Sequence, residues 1–132
     1  MRDIPIGAKG TATLRVKPEH TASQFKDAML PEVFATPMMV RLMEDAALNA
    51  LRPYLQPGES AVGTAIDMEH LAATPVGHEV TAEAEVTRAD GRQIEFKVSA
   101  RDEKEEIGRG THRRMAIDLD RFNQRLALKA KT

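Results

Sequence analysis

Three side chains with acid–base or hydrogen-bonding capacity occupy informative positions in the sequence: Thr36, Glu44 and His70. An imidazole can move protons near neutral pH, a carboxylate can orient an imidazole or attack an electrophile, and a threonine hydroxyl can hold or donate to an oxygen. Together they could hydrolyse an ester or a thioester. Each also has a structural explanation, because a threonine can cap a helix and an inward-facing histidine is often a satisfied core residue.

The residues from Thr36 to Arg52 predict one long helix around which the rest of the chain is organised. Thr36 suits the N-cap, and Pro37 suits a first helical position because its φ is preset and it lacks an N–H. Pro53 cannot continue the helix, so the helix is expected to end near Arg52 after about four turns.

Glu44 lies outside the polar stripe of this helix. The stripe consists of Arg41, Asp45, Asn49 and Arg52. On the helical wheel the neighbours of Glu44 are apolar, and burying a carboxylate without a partner is costly. Glu44 is therefore expected to be paired, protonated or at the wall of a cavity. The alternative is a carboxylate at the rim of the stripe that reaches water through its flexible stem.

The composition disfavours several classes of protein. The chain of 132 residues has 19 basic and 20 acidic residues, which are mixed along the sequence and give a net charge of −1. It therefore has no cluster of positive charge of the kind that binds nucleic acid or a membrane surface. The absence of cysteine excludes a disulfide framework, a thiolate nucleophile and a zinc–thiolate site. The four histidines show no close pairing, so no metal is assigned, and no cofactor is expected.

The chain shows no signal peptide and no apolar run near the ~20 residues that a membrane span needs. A cytoplasmic protein is the default expectation. Its length and even composition predict a single domain over residues 1–132.

Period-two alternation predicts five strands, at residues 10–17, 62–70, 80–87, 93–100 and 107–118. In the second strand, Val62, Thr64, Ile66, Met68 and His70 are predicted to share one face. Asp90-Gly91 predicts a tight hairpin, and the charged run 102–106 predicts a solvated turn.

Two further segments complete the prediction. Residues 18–34 are expected to form a lid-like connection, in which residues 22–30 could form a short helix that turns Phe25, Met29 and Leu30 inward. Leu119, Phe122 and Leu126 predict an amphipathic C-terminal helix.

These elements predict an α+β fold in which an antiparallel sheet of about five strands wraps a long central helix. One such sheet can cover only part of a mostly apolar helix. A second subunit is the expected source of the remaining cover, so a homodimer is predicted.

The sequence contains the blocks Pro31-Glu-Val-Phe-Ala-Thr36, Leu42-Met-Glu44, Gly63-Thr-Ala65, His70-Leu-Ala-Ala-Thr-Pro75, Glu106-Ile-Gly-Arg-Gly-Thr-His112 and Phe122-Asn123. In their letters, order and separation, these blocks resemble the hotdog-fold thioesterases of the fluoroacetyl-CoA thioesterase type. The resemblance implies a hotdog fold, usually dimeric, with active sites at the subunit interface.

The resemblance also implies roles for individual residues. The catalytic threonine, glutamate and histidine of the family fall on Thr36, Glu44 and His70. The glycine whose backbone lines the acyl pocket falls on Gly63, and an arginine near the acyl site falls on Arg114. The structural alternatives are close packing of strand on helix for Gly63 and an exposed strand position for Arg114.

The implied function is an acyl-CoA thioesterase that hydrolyses a small acyl-CoA to the free acid and CoA. Fluoroacetyl specificity is associated with an aromatic lid before the helix, and the corresponding positions here are Asp27 and Leu30. Little preference for the fluoroacetyl group is therefore expected. The alternatives are a hotdog acyl-CoA hydratase and a non-catalytic acyl-CoA binding module.

Overall fold

The computed structural model describes residues 1–131, which form five strands and three α-helices. The strands are β1 (Lys9–Arg15), β2 (Glu59–His70), β3 (Glu79–Asp90), β4 (Gln93–Arg101) and β5 (Glu106–Asp118). The helices are α1 (Ala22–Phe25), α2 (Thr36–Leu51) and α3 (Leu119–Ala130). Short 3-10 turns at Pro18–His20 and Arg52–Tyr54 precede α1 and follow α2.

The five strands form one antiparallel sheet in the order β1-β3-β4-β5-β2, with α2 packed mainly against β1 and β3. The predicted α+β architecture is therefore confirmed. The inward residues of β3 and β4 are fully buried against α2, as their alternation predicted. Gly10 allows β1 to approach α2 closely, because any side chain there would overlap the backbone of Ala46 and Ala50.

Helix α2 begins at Thr36 as predicted, but the N-cap prediction is wrong. The N-cap residue is Ala35, no side chain caps the helix, and Pro37 occupies the second helical position. The hydroxyl of Thr36 does not cap the helix because it contacts His70 instead. The helix ends at Leu51, one residue before the predicted end.

Strand β2 contains a β-bulge that the alternation of its residues did not predict. Gly63 pairs with Arg114 on β5, whereas Ala65 pairs with Arg113, so Thr64 is an extra residue with no partner in the register. An extra residue in one strand bends it and shifts which side chains point to each face.

Because of the bulge, the predicted set of inward-facing side chains on β2 is correct after Thr64 and wrong before it. Paired residues of antiparallel strands share a face, and the buried Ala61 pairs with the buried Ala116. Beyond the bulge, Ile66 pairs with His112, which is also buried. His70 therefore shares the inner face with Ile66, as predicted, but Val62 lies on the outer face.

The connection between β1 and α2 forms a shorter helix than predicted, and its apolar side chains do not point inward. Phe25, Met29 and Leu30 are exposed, Met29 to 90 %. The segment is instead anchored by Thr21 and Phe34, which form an isolated β-bridge and are both buried. Within α1, Ala22 packs against the core, whereas Phe25 does not.

The charged turn after β4 is not wholly solvated. Asp102 is 8 % exposed and accepts hydrogen bonds from the Thr74 hydroxyl and from the backbone N–H groups of Lys104 and Glu105. These bonds tie the turn to the loop that follows His70. Burial of the carboxylate is tolerated because its oxygens have hydrogen-bond donors.

The C-terminal helix α3 forms as predicted, with the Asp118 side chain accepting from the Arg121 N–H at its start. Its predicted apolar residues Leu119, Phe122 and Leu126 are exposed. Among residues 1–131, no helix has the length and apolar character needed to cross a membrane.

Candidate active site

The first residue of α2 meets the last residue of β2. Thr36 Oγ1 lies 2.7 Å from His70 Nδ1, a hydrogen-bond distance. The bulge in β2 places His70 on the inner face of the sheet, and the first turn of α2 brings Thr36 to it. The structure thus brings together two of the three residues predicted to be catalytic.

His70 lies in a cleft of about 400 Å³ between the α1 connection and the end of β2. The cleft is lined by Ala22, Val33, Phe34, Thr36, His70, Leu71, Ala72 and Ala73. Burial lowers the pKa of His70 below its usual value, so the neutral imidazole is favoured at pH 7. Its Nε2 is buried and has no hydrogen-bond partner within residues 1–131. His70 thus keeps one ring nitrogen that no other group of the described residues occupies.

Glu44 lies against Gly63 at the bulge of β2. A Cβ atom on Gly63 would stand 2.8 Å from Glu44 Oε2, so any side chain would displace the carboxylate. The Glu44 side chain is 41 % exposed. The carboxylate therefore reaches solvent, as the alternative interpretation of the helix predicted, and Gly63 leaves the space beside β2 that its Oε2 occupies.

Arg114 is the nearest cation to Glu44, with Nη1 at 3.9 Å from Oε2. It is only 7 % exposed, so the alternative of an exposed strand position is wrong. Its Nη2 donates to the carbonyl of Ala61 at 2.7 Å. Burial lowers the pKa of the Arg114 guanidinium, and the charge of Glu44 opposes this shift.

The sequence prediction assigned no role to His112, which lies between Arg114 and the core. Its ring is 2 % exposed and stacks on Phe96 with centroids 5.7 Å apart. Its Nδ1 bonds the carbonyl of Ala65 at 2.8 Å and its Nε2 lies 3.2 Å from Arg114 Nη1. The signal that could have found it is the two-residue spacing of His112 and Arg114 on one face of β5.

Within this chain, Thr36 and His70 lie apart from Glu44, Gly63 and Arg114. Glu44 follows Thr36 by eight residues on α2, which places it about 12 Å further along the helix axis. His70 and Gly63 are likewise about 20 Å apart along β2. One chain therefore does not assemble Thr36, His70 and Glu44 into a single catalytic group, and Glu44 does not orient His70 of its own chain.

Residues 1–131 contain no cluster of three or more carboxylate or histidine side chains arranged to hold a metal ion.

The chain was compared with models of known protein families. Residues 16–120 match the model of the fluoroacetyl-CoA-specific thioesterase family, FlK. The chain belongs to this family.

Three relatives show how far the similarity to family members and other thioesterases extends. The fluoroacetyl-CoA thioesterase of Streptantibioticus cattleyicolor is 44 % identical over 98 % of this chain and 97 % of its own length. A solved structure of FlK, a threonine-to-serine mutant in complex with acetyl-CoA, is 43 % identical with a TM-score of 0.90, covering 96 % of this chain and 98 % of that chain. A thioesterase superfamily member from Thermus thermophilus is 27 % identical with a TM-score of 0.88, covering 98 % of this chain and 97 % of that chain.

Membership in the fluoroacetyl-CoA-specific thioesterase family confirms the predicted resemblance. The chain is a thioester hydrolase with the hotdog fold, as the sequence blocks implied.

Proposed function

We propose that this protein hydrolyses small acyl-CoA thioesters to the free acid and CoA, at sites shared between the two protomers of a homodimer. The observation that carries the proposal is the 2.7 Å contact of Thr36 with His70, a histidine that lines a cleft and whose second ring nitrogen has no hydrogen-bond partner within residues 1–131. A neutral imidazole held from one side by a hydroxyl is suited to general base catalysis from the other.

His70 activates the attacking water in this proposal. For Nε2 to accept a proton, the ring hydrogen must be on Nδ1, where it is donated to Thr36 Oγ1. Thr36 therefore fixes the tautomer and the orientation of the ring. In the first turn of α2, Pro37 has no N–H, and the N–H groups of Met38 and Met39 donate to the carbonyl of Ala35. The backbone N–H of Thr36 is therefore the group proposed to stabilise negative charge on the carbonyl oxygen.

Glu44 acts as the nucleophile in this proposal. Its carboxylate attacks the thioester carbonyl, the C–S bond breaks, and CoA leaves as the thiolate. His70 then takes a proton from water, which attacks the resulting anhydride, releases the acid and regenerates Glu44. The protonated His70 returns to the neutral form by giving this proton to the CoA thiolate, so that the products are the free acid and CoA. Gly63 and Arg114 line the acyl side of this site, because Gly63 leaves space beside the carboxylate and Arg114 supplies a fixed positive charge.

A dimer formed through β2 would bring Glu44 of one protomer to His70 of the other. β2 is an edge strand, and an edge strand offers unpaired N–H and C=O groups to a second chain. If two β2 strands pair antiparallel with Asp67 on the two-fold axis, His70 lies three residues from that axis. Because Thr64 is outside the register, Gly63 is the third paired position on the other side of Asp67. His70 of one protomer would therefore lie opposite Gly63 of the other.

A single cysteine tests this register in a chain that has none of its own. Asp67→Cys should place two cysteines opposite each other across the two-fold axis, within the roughly 4.4–6.8 Å between Cα atoms that a disulfide allows. Mild oxidation is expected to give a disulfide-linked dimer on non-reducing gels.

The control is Lys97→Cys, an exposed position on the outer face of the interior strand β4, which should remain uncrosslinked. Light scattering that shows a stable monomer at micromolar concentration would contradict the dimer itself. A dimer in which Asp67→Cys fails to crosslink would contradict this register.

The acyl specificity is proposed to be broad among small groups. The lid positions carry Asp27 and Leu30, both exposed, in place of aromatic residues. We expect fluoroacetyl-CoA and acetyl-CoA to be hydrolysed with kcat/KM values within about tenfold, because a single small substituent in a pocket without new contacts changes binding little.

A thiol-release screen over acyl-CoAs of varied size and polarity measures this ratio and tests the function itself. A fluoroacetyl preference of several orders of magnitude would overturn the broad specificity. Water addition to an enoyl-CoA with the thioester intact would indicate a hydratase. Tight binding without turnover across the panel would indicate a binding module.

A further inference from the structure

Two side chains of β5 hold the β2 bulge from both sides. Arg114 Nη2 donates to the carbonyl of Ala61, two residues before Gly63, and His112 Nδ1 bonds the carbonyl of Ala65, two residues after it. The backbone on either side of Gly63 is thus fixed by one histidine and one arginine.

The partners of His112 determine its protonation. A carbonyl oxygen can only accept, so Nδ1 of His112 must carry the hydrogen donated to Ala65. A guanidinium can only donate, so Nε2 must be the unprotonated acceptor for Arg114 Nη1. His112 is therefore neutral. Burial lowers the pKa of His112 and the adjacent Arg114 charge adds to this, and together they outweigh the Ala65 hydrogen bond and the Glu44 charge, which act in the opposite direction.

The same contacts restrain Arg114. Its Nη2 is bound to Ala61 at 2.7 Å and its Nη1 lies 3.2 Å from His112 Nε2. The guanidinium consequently stays 3.9 Å from Glu44, beyond the range of roughly 2.7–2.9 Å of a charge-assisted hydrogen bond. Arg114 is close enough to Glu44 to influence it electrostatically but does not occupy its oxygens.

We propose that His112 is a positioning residue for thioester hydrolysis, which holds Arg114 off Glu44 and so keeps the carboxylate free to act on the acyl group beside Gly63. The proposal rests on the proposed role of Glu44 as nucleophile. Without the acceptor on His112, Arg114 Nη1 loses its partner and can rotate to form a short bidentate pair with Glu44. A carboxylate bound in that way is a poorer nucleophile.

Two substitutions separate positioning from packing. His112→Phe keeps the ring that stacks on Phe96 but removes both hydrogen-bonding groups. His112→Gln keeps one donor and one acceptor at a similar separation. We expect His112→Phe to lower kcat about 10- to 100-fold with KM changed less than about threefold, because the lost interaction serves the transition state. His112→Gln should restore kcat to within about fivefold of the original chain.

A double variant tests whether His112 acts through Arg114. In an Arg114→Met background the further change His112→Phe should lower kcat by less than about twofold, because the residue that it restrains is gone. Arg113→Gln, at the exposed neighbouring position, is the matched control and should leave kcat unchanged. Circular dichroism and the melting temperature establish that each variant is folded.

Three kinetic results would overturn the proposal. They are normal kcat in folded His112→Phe, equal losses in His112→Gln and His112→Phe, or an undiminished loss in the Arg114→Met background. A purely structural role would instead lower the melting temperature with kcat per folded site retained.

An NMR measurement tests the protonation state of His112 without relying on the proposed function. The ¹⁵N–¹H correlation spectrum of His112 at pH 7 should show the neutral ring with hydrogen on Nδ1, whether or not any acyl-CoA is turned over. The opposite tautomer or a protonated ring would overturn the positioning role. Absence of turnover in the original chain would overturn the proposed function while this spectrum still reports on His112.

Discussion

Glu44→Gln is expected to lower the turnover of acyl-CoA hydrolysis by at least about 100-fold, the loss typical of removing a nucleophile or an acid–base group. The amide keeps the shape of the side chain and can still lie beside Gly63, but it cannot attack a thioester carbonyl. Because the Glu44 side chain is partly exposed and 3.9 Å from Arg114, losing its charge should change the melting temperature little. Thiol release under saturating substrate measures the effect.

The matched control is Asp45→Asn, which removes the adjacent carboxylate from the exposed stripe of the same helix and should leave turnover unchanged. His70→Ala and the double variant Glu44→Gln/His70→Ala should cost about as much as either single change, because residues that act as one unit are strongly non-additive. Near-normal hydrolysis by Glu44→Gln would remove Glu44 from the mechanism and favour a structural role beside Arg114.

Local sequence patterns predicted the framework of this fold because its strongest elements depend on near neighbours. Helix α2 has a clear apolar periodicity and proline residues near both ends, and the β3–β4 hairpin has a turn glycine, Gly91, with φ of 61°. These signals do not require knowledge of distant contacts. The helix and hairpin were therefore predicted to within a few residues.

The bulge and the buried polar groups depend on partners far away in the sequence. Thr64 becomes an extra residue only when β2 is set against β5, and a period-two pattern read on β2 alone assigned Val62 to the wrong face. Asp102 and His112 are buried because Thr74 and Ala65 supply hydrogen bonds from other segments. A sequence gives no local sign of such pairs.

In the candidate site too, the residues could be predicted from the sequence, whereas their grouping in space was not. Type and spacing drew attention to Thr36, Glu44 and His70, and the family resemblance added Gly63 and Arg114. The structure joins Thr36 with His70 and places Glu44 with Gly63 and Arg114. The distance between the two groups follows from the length of α2 alone, and it could have been estimated from the eight residues between Thr36 and Glu44.

Mixed dimers should reveal that the two groups of residues meet across a subunit interface. A heterodimer of one Glu44→Gln protomer and one His70→Ala protomer, isolated with two affinity tags, has one site with both original residues if sites are shared. Its activity is expected to be about half that of the unsubstituted dimer, since one of two symmetric sites survives. Each parent homodimer should retain no more than about one hundredth.

A second heterodimer serves as the control, because it should be nearly inactive where the first should keep about half of the activity. One protomer is unsubstituted and the other carries both Glu44→Gln and His70→Ala. If sites are shared, each of the two sites then lacks one residue, so this heterodimer should be nearly inactive. If instead each protomer holds a complete site, the unsubstituted protomer keeps about half of the activity and the first heterodimer has none. The separation of about 12 Å between Thr36 and Glu44 on one helix favours the shared arrangement, because the water that His70 deprotonates must attack the anhydride formed on Glu44 and so must lie beside both side chains.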